Sequence, residues 1–510
     1  MKVVLGIAAV LGLAFGQTNK CPSFTEYSAS PHGPLSLGSQ HIPSMRPAPA
    51  CRTFQNPTIE HAIRDVSSAI KDPDWQQLFA NTFPNTLDTT VAWHNGSTPP
   101  YTFLITGDIT AQWIRDSTNQ VLPYLPYLTM DSKLAQLVLG LVNMQAEELN
   151  AYPFGNAFQP PPRSRLTPAE NGIAVDLRVQ PPFNNQTVFE AKFEIDSFAS
   201  FFQLASAYWR STGEYQFIYS QTWVEAVDQI LDIIRILQQP TYANNKVNRS
   251  LVSYVRKTTE AKETQFVGGA GNPVKYTGMV RTLFRPSDDA TIFPFLVPAN
   301  AFLCVELENL RDMLNTLQVF SEIRDKAAEL ADQIRNGIYK YGIVKHPDHG
   351  QVFAYEVDGY GSQLLTDDAN VPSLLSLPYL GFVNATHPVY KNTRKMLLSA
   401  DSNPWYFEGP YIRGIGSPHT GYLKTWPIPH TGYLKTWPMS VAIRGMTSDS
   451  SDEVKECLDM LKASTSGLGL IHESVNVNGG SEYTRSWFAW GNSLVSQFVI
   501  DAITRFPGII

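Results

Sequence analysis

The sequence predicts an all-α fold in one large catalytic domain, and three observations support this. Apolar residues recur at helical spacing in many segments, as at Val227, Ile230 and Ile234. Strand-like pieces are short, for example Thr102–Thr106 and Gln351–Tyr355. No linker rich in Gly and Ser or in Pro and Thr divides the chain. The loops between the helical segments are long and rich in Gly, Pro, Trp and Tyr, which is typical of loops that carry function.

The elements follow one another from an N-terminal leader to a C-terminal helix. Residues 1–16 are predicted to be a secretory signal peptide, because Lys2 precedes the apolar run Val3–Phe15 and small residues surround a cleavage point near Gly16. That run is shorter than the ~20 residues that span a bilayer, which argues against the alternative of a membrane anchor. Residues 17–55, rich in Pro, Ser and His, are predicted to form an irregular arm, and residues 56–510 the catalytic domain. Helices are predicted at 57–70, 132–150, 197–211, 219–238, 299–315, 317–339, 371–379, 389–399, 439–447, 451–464 and 486–504.

Composition limits the possible partners. The chain has 510 residues, of which 43% are apolar and only 17% are charged, so a substantial core is expected and long charged disordered runs are not. The formal net charge of −7 argues against a nucleic-acid-binding surface, which is normally basic. After removal of the signal peptide, no later segment is long and apolar enough to span a membrane.

Cysteines and sequons fit a secretory protein. Cys21 and Cys51 are the predicted disulfide, since both lie in the irregular arm, whereas Cys304 and Cys457 sit in helical patterns and are expected to be buried thiols. No two cysteines are close enough in sequence to suggest a zinc site. Four acceptor sequons predict N-glycosylation at Asn95, Asn185, Asn248 and Asn384. The expected location is the secretory pathway or the cell exterior.

One internal repeat is unusual. The sequence of Pro418–Pro427 recurs without change as Pro429–Pro438. A structural repeat drifts in sequence and recurs more than twice, so two identical copies indicate a recent tandem duplication or an error in the gene sequence. A longer loop costs little closure entropy, so folding is expected to survive it. Activity is at risk if the loop lines a pocket.

Two acidic strings carry the most chemical information. They are Arg285–Asp289, which contains Asp288 and Asp289, and His472–Ser474, which contains Glu473. Neither has the Cys or His spacing of a metal site. Two carboxylates that converge on one pocket with aromatic side chains nearby can cleave a glycosidic bond. The alternative is that some of these carboxylates cap helices.

These two strings belong to a larger set of polar and aromatic strings. The others are Thr106–Ile109, Trp113–Asn119, Phe193–Ser197, Tyr355–Gly361, Asp367–Asn370, Gly416–Thr420, Trp437–Ser440 and Tyr483–Phe488. In this order the set resembles glycoside hydrolase family 125, the exo-acting α-1,6-mannosidases, and in particular its fungal secretory branch. The resemblance runs from about residue 56 to residue 505.

The resemblance implies a fold, a reaction and its catalytic groups. It implies an (α/α)6 barrel, an exo-α-1,6-mannosidase that inverts the anomeric carbon, and no metal or other cofactor. It places the general acid at Asp288 or Asp289, which the sequence does not separate, and the general base at Glu473. The expected partners are mannose-containing glycans, and the expected state is a monomer.

The remaining site candidates have structural alternatives. Arg115 and Asp116 can hold sugar hydroxyls or form a structural ion pair. Asp196 precedes a helical run and competes as an N-cap. His419 is a hydroxyl-binding candidate whose twin, His430, makes the assignment ambiguous. Aromatic side chains in the strings can stack on sugars, although most aromatics in a chain of this size are core. The predicted substrate-binding residues are Arg115, Asp116, Asp196, Arg285, His419, Trp437 and Trp487.

Two other functions are compatible with these observations. The first is another (α/α)6-barrel glycosidase specificity, such as a different α-mannoside linkage. The second is an inactive glycan-binding homologue, which the tandem repeat suggests because 11 inserted residues near the pocket can block it.

Overall fold

The computed structural model describes residues 21–172, 176–421 and 434–510. The predicted signal peptide, the start of the arm at 17–20, and the part of the tandem repeat from 422 to 433, including His430, lie outside the described residues. The α-helices are α1 Phe24–Tyr27, α2 Pro57–Ala69, α3 Pro73–Thr82, α4 Asn85–Thr89, α5 Ile114–Val121, α6 Ser132–Ala151, α7 Ile195–Thr212, α8 Gln221–Leu237, α9 Val297–Leu317, α10 Ser321–Gly337, α11 Pro388–Leu397, α12 Pro418–Gly421, α13 Pro438–Met446, α14 Ser451–Ala463 and α15 Ala489–Arg505.

Short strands pair locally in the connections, mostly as antiparallel hairpins. They are β1 Val91–Asn95, β2 Tyr101–Leu104, β3 Gln112–Trp113, β4 Ala157–Phe158, β5 Leu177–Gln180, β6 Val188–Glu190, β7 Tyr242–Ala243, β8 Lys246–Val247, β9 Ser253–Arg256, β10 Phe295–Leu296, β11 Ile343–His346, β12 Gly350–Phe353, β13 Glu356–Val357, β14 Gln363–Leu364, β15 Tyr406–Glu408, β16 Arg413–Ile415, β17 Lys435–Thr436, β18 Ser474–Asn476 and β19 Tyr483–Thr484. A nine-residue 3-10 helix at Leu122–Met130, shorter 3-10 turns and a π-helical turn at Ile338–Gly342 complete the described elements.

The helices form two concentric layers. Helix α5 packs on α7, α7 on α9, and α13 on α15, and α15 returns to α5 and closes the ring. The segment 371–380 lies at the remaining inner position, where the Tyr379 hydroxyl donates to Gln497 of α15 at 3.2 Å. Helices α3, α6, α8, α10, α11 and α14 alternate with the inner positions along the chain and form the outer layer. This arrangement is the (α/α)6 barrel.

Local sequence explains where the helices begin. Asn56, Asp72, Asp131, Ser220 and Ser450 each accept a hydrogen bond from a backbone N–H in the first turn of the helix that follows. Proline occupies the first turn of several helices, where its missing N–H has no intrahelical partner to lose. One hydrophobic core then runs between the two layers, with contributions from Ile42 to Ile510.

Ten of the eleven predicted helices are confirmed to within a few residues, but the helix predicted at 371–379 is wrong. Its apolar residues are buried as expected. The backbone turns instead, because the Asp367 carboxylate accepts the N–H groups of Leu374 and Leu375 at 2.8 and 2.9 Å. These donors are therefore not available for a regular helical ladder. Strands β2 and β12 lie at the two predicted strand segments.

The arm is tied to the barrel. The predicted disulfide between Cys21 and Cys51 is present, with the two Cα atoms 5.4 Å apart, and Cys304 and Cys457 are buried free thiols as predicted. Arg46 of the arm contacts Asp88 at 2.7 Å and Glu60 at 2.6 Å. Within the described ranges, no helix combines the length and apolar character needed to cross a bilayer.

Candidate active site

A pocket opens where the inner elements begin. Its residues come from the first turns of the inner helices or from the loops just before them, so the N-terminal ends of these helices face one space. The positive end of each helix dipole favours negative charge there. The pocket is lined by Thr106, Asp108, Ile109, Trp113, Arg115, Asp116, Pro286, Ser287, Asp288, Asn370, His419, Trp437, Glu473, Arg485, Phe488 and Trp490.

The two acidic strings meet at this pocket, and they separate the adjacent aspartates. Asp288 and Glu473 both line it. Asp289 turns away into the protein, with its carboxylate 3.6 Å from Lys262 Nζ and 3.6 Å from His419 Nδ1. Asp288 has a left-handed backbone with φ of 64°. A non-glycine residue in this region costs about 1–3 kcal/mol, and such strain is concentrated at functional sites.

Asp288 sits among buried polar groups. The Asn156 side-chain amide donates to its carboxylate at 3.0 Å, and the carboxyl groups of Asp288 and Glu194 share a hydrogen bond. Burial raises the pKa of Asp288, but the positive charges of Lys192, Arg115 and His419 outweigh it and hold that pKa below its usual value. Burial raises the pKa of Glu194 well above its usual value. The two buried carboxyl groups are therefore close enough to share one proton.

Glu473 stands at the start of a small sheet. It directly precedes β18, and its backbone N–H donates to the Thr484 carbonyl at 3.2 Å. The Arg485 guanidinium lies 3.4 Å from its carboxylate and also pairs with Asp108. The neighbouring His472 stacks on Tyr483 with ring centroids 4.1 Å apart. These contacts fix the direction in which the Glu473 carboxylate points.

Arg115 holds three carboxylates at the base of the pocket. Its guanidinium pairs with Glu194, lies 3.2 Å from both Asp116 and Asp196, and sits over the Trp490 ring. All of these groups are buried. Removal of one partner from a buried ion pair costs about 3–5 kcal/mol, so Arg115 is expected to support the pocket structurally as well as to face it.

The Asp116 carboxyl should make the stability of the protein depend on pH. Burial, together with the negative charges of Asp288 and Glu473, raises its pKa from 3.8 to about 6. Between about pH 4 and 6 the native protein binds a proton here that the unfolded chain does not, so this contribution to stability is lost as pH rises. In Asp116→Asn, the free energy of unfolding should change with pH by about 3 kcal/mol less than in the wild type over this window. Denaturant titrations at several pH values measure it.

The exposed carboxylate of Asp65 offers the control for this measurement. Asp65→Asn should keep the wild-type pH dependence. If the free energy of unfolding changed with pH equally in Asp116→Asn and in the wild type, the raised pKa of Asp116 would be contradicted.

The sequence as a whole agrees with this chemistry. The model of one protein family, the metal-independent α-mannosidases of glycoside hydrolase family 125, matches residues 72–429 and 428–500. This chain belongs to glycoside hydrolase family 125. The junction of the two matched stretches lies inside the tandem repeat. The protein is therefore a glycosidase with α-mannosidase activity.

Two relatives show how far the similarity extends. The chain is 44% identical to the meiotically up-regulated gene 157 protein of Schizosaccharomyces pombe, over 98% of this chain and 97% of that protein. It is 31% identical to a metal-independent α-mannosidase of Streptococcus pneumoniae that was solved in a non-productive complex with α-1,6-mannobiose. The TM-score with that structure is 0.79, over 89% of this chain and 99% of the other.

The family 125 fold does not bring every predicted binding residue to the pocket. Arg115, Asp116, His419 and Trp437 line it. Asp196 lies behind it as a partner of Arg115. Arg285 pairs with Glu356 at 2.6 Å, and Trp487 points away and donates from Nε1 to Asn85 at 3.2 Å. Asp196, Arg285 and Trp487 therefore do not line the pocket, because each is held by a buried partner within the protein.

Sequence reasoning missed several residues of the site. Glu194 lies in the string Phe193–Ser197, two residues before Asp196, but no role was predicted for it. In the structure it shares a hydrogen bond with Asp288. Asn156 lies outside the flagged strings. Asn370 presents a buried side-chain nitrogen to the pocket without a hydrogen-bond partner, which suits a sugar hydroxyl. Trp490 lies two residues beyond its string. The signal for Asn370 was its place in the string Asp367–Asn370.

Two further findings concern metals and glycans. In the described part of the chain, no group of three or more His, Cys, Asp or Glu side chains is arranged to hold a metal ion. The sequon asparagines Asn95, Asn185 and Asn384 are exposed. Asn248 is half-buried and donates from its side chain to the Pro240 carbonyl at 2.7 Å.

Proposed function

We propose that this enzyme is an inverting exo-α-1,6-mannosidase with Asp288 as general acid and Glu473 as general base. The observation that carries the proposal is that these two carboxylates line one pocket while Asp289 faces the protein interior. The pocket is formed by the ends of the inner helices, which suits binding of a terminal sugar. The α-1,6 linkage is proposed from the mannobiose bound by the S. pneumoniae relative.

The chemistry follows from the two carboxylates. Asp288 donates a proton to the glycosidic oxygen as the bond from that oxygen to the anomeric carbon breaks. Glu473 removes a proton from a water molecule, whose oxygen forms the new bond on the opposite face of the sugar. The products are β-mannose and the shortened glycan, and each carboxyl group later exchanges its proton with solvent.

Glu194 supplies the proton that Asp288 needs. The two buried carboxyl groups share a hydrogen bond, which provides a path for a proton from Glu194 to Asp288. A leaving oxygen that approaches Asp288 accepts a proton from it, while the proton on Glu194 moves across their shared hydrogen bond. Glu194 is buried and does not line the pocket, so it acts through Asp288.

The test is mannose release from a panel of linkage-defined α-mannobioses, followed by NMR of the first product anomer. We expect release from the α-1,6 isomer above the others, with β-mannose formed first. Initial formation of α-mannose would overturn inversion, and faster release from another isomer would overturn the linkage. We also propose that the protein is secreted or acts in the secretory pathway, which the leader at 1–16 and the sequons support.

A second candidate function is glycan binding without turnover. It is favoured by the tandem repeat, which adds 11 residues between His419 and Trp437, two residues of the pocket wall. Deletion of Pro418–Ile428 leaves one copy of the repeated sequence. In this variant His430 takes the sequence position of the deleted His419. Because the shorter connection restricts this histidine and Trp437 more, we expect kcat/KM for α-1,6-mannobiose to rise about tenfold, which equals about 1.4 kcal/mol.

The full chain and the deletion variant should be compared under identical conditions. Activity only in the deletion variant, with sugar binding by both, would establish the blocked form. A fall in activity on deletion would show that the longer loop contributes to the site. Deletion of an equal length from the exposed turn after β7 is not a suitable control, because β8 would be lost. A far-ultraviolet circular dichroism spectrum of each protein therefore serves as the folding control.

A further inference from the structure

A second cavity lies between the N-terminal arm and the barrel. We call it the arm cavity and define it by Phe24, Thr25 and Tyr27 of α1 together with Asp88, Gly107 and Trp487. Its volume is about 290 Å³, close to the lower limit of ~300 Å³ for ligand pockets. The arm precedes residue 72, where the match to the family begins, so this cavity is built partly from chain outside the matched region.

One thin wall separates the arm cavity from the substrate pocket. Residues 105–110, which bend at 108–110, form this wall and contribute to both spaces. Ile105, Gly107 and Thr110 line the arm cavity, whereas Thr106 and Ile109 line the substrate pocket. Gly107 of this wall forms an antiparallel β-bridge with Phe488. Its backbone φ is 150°, and its α-carbon faces the Trp487 carbonyl. A side chain at Gly107 would collide with that carbonyl.

The two spaces meet at Asp108. This residue lines both of them, and its carboxylate pairs with Arg485, which also faces Glu473 in the substrate pocket. The Asp108 and Arg485 side chains are 34% and 28% exposed, so the pair lies at the rim and not in the protein interior. The arm cavity and the substrate pocket therefore meet at this rim.

Several contacts hold the arm against the barrel beside the arm cavity. Ser28 hydrogen bonds to Ser486 at 2.8 Å, and the Phe24 ring meets the Trp487 ring edge-on with centroids 4.7 Å apart. The Cys21–Cys51 disulfide anchors the start of the arm. These contacts attach the arm to residues 485–488, the same segment that faces the catalytic candidate Glu473.

The lining has the chemistry of a carbohydrate site. Phe24, Tyr27 and Trp487 supply aromatic surface, and Asp108 at the rim supplies a carboxylate that accepts hydrogen bonds from sugar hydroxyls. We propose that the arm cavity binds the leaving-group side of the glycan, that is, mannose residues beyond the bond that is cleaved. This inference rests on the proposed function, because it assumes that the terminal mannose occupies the substrate pocket.

The test compares a short and a long substrate. In the wild type, kcat/KM for linear α-1,6-mannotetraose should exceed that for α-1,6-mannobiose by about tenfold or more. Thr25→Trp fills the cavity from an exposed position, and Phe24→Ser removes one aromatic wall. Each variant should lower the ratio of the two kcat/KM values about tenfold. Leu37→Ala, on the same arm and 94% exposed, is the matched control and should keep the wild-type ratio.

A binding measurement separates this proposal from the catalytic one. In Glu473→Gln, calorimetric titration should give a Kd for mannotetraose about tenfold lower than for mannobiose, and added Thr25→Trp should abolish the difference. Failure of the wild type to release mannose, with this binding preference intact, would overturn the proposed activity alone. A wild-type ratio that Thr25→Trp and Phe24→Ser leave unchanged, or equal binding of both sugars, would overturn the arm cavity as a binding site.

Discussion

Glu473→Gln should reduce kcat for α-1,6-mannobiose by at least about 10³-fold, with little change in KM. The amide keeps the shape of the side chain and its place beside Arg485, but it cannot take the proton from the attacking water. General acid–base groups contribute about 10²–10⁴-fold to rate, and an inverting reaction needs a base that activates the attacking water on the face opposite the acid. Steady-state kinetics with high-purity protein measure the effect.

Glu482→Gln provides the matched comparison for this substitution. Glu482 lies between β18 and β19, close to Glu473 in sequence, and accepts a hydrogen bond from Asn476 at 2.9 Å. It does not line the pocket. Its variant should keep kcat within about twofold of the wild type. A Glu473→Gln enzyme that keeps more than about a tenth of wild-type kcat would remove Glu473 from the role of base.

Asp288→Asn should cause the second large loss, and its size should depend on the leaving group. A disaccharide leaves as a poor alkoxide without a proton, so we expect kcat/KM for α-1,6-mannobiose to fall about 10³-fold. A 2,4-dinitrophenyl α-mannoside leaves without protonation, so its kcat/KM should fall by about tenfold or less. The ratio of the two losses measures proton donation separately from binding.

Asp289→Asn distinguishes the adjacent aspartate. Asp289 lies 3.6 Å from His419, and the nearby carboxylates outweigh burial and raise the pKa of His419 to about 9. Loss of the Asp289 charge should weaken the ion pair that positions the cationic His419 ring. The values of kcat/KM for the disaccharide and for the aryl mannoside should therefore fall by a similar factor. A strong leaving-group dependence in Asp289→Asn, with none in Asp288→Asn, would exchange the roles of the two residues.

Five of the six outer helices were predicted from the sequence, whereas the outer helix α3 and some inner elements were not. Helix α8 buries one face and exposes the other, so Ile230 and Ile234 recur at the helical period. Helix α5 was missed because all of its residues from Ile114 to Val121 are buried, including its polar ones, which leaves no alternation to detect. The segment 371–379 shows the opposite error, because the side chain of Asp367 captures backbone donors that the apolar pattern does not reveal.

The sequence strings that form the site could be predicted from the sequence, but the arrangement of their side chains in space could not. The strings containing Asp288 and Glu473 are distinctive in the sequence, and both reach the pocket. Which of two adjacent aspartates faces the sugar depends on the left-handed backbone at Asp288, and residue type alone does not encode that. The position of Glu194 depends on contacts with Arg115, 79 residues earlier, which no local pattern reports.

The closure of the inner ring has a consequence for how the protein becomes active during folding. Helix α5 contacts α15 near the other end of the chain, so the ring closes only when distant parts of the polypeptide meet. Contacts between residues far apart in sequence form slowly, because loop-closure entropy is lost before they stabilise the chain. A nascent polypeptide can therefore build helical hairpins in the order of synthesis, but the catalytic groups come together only after its last helix has been released from the ribosome.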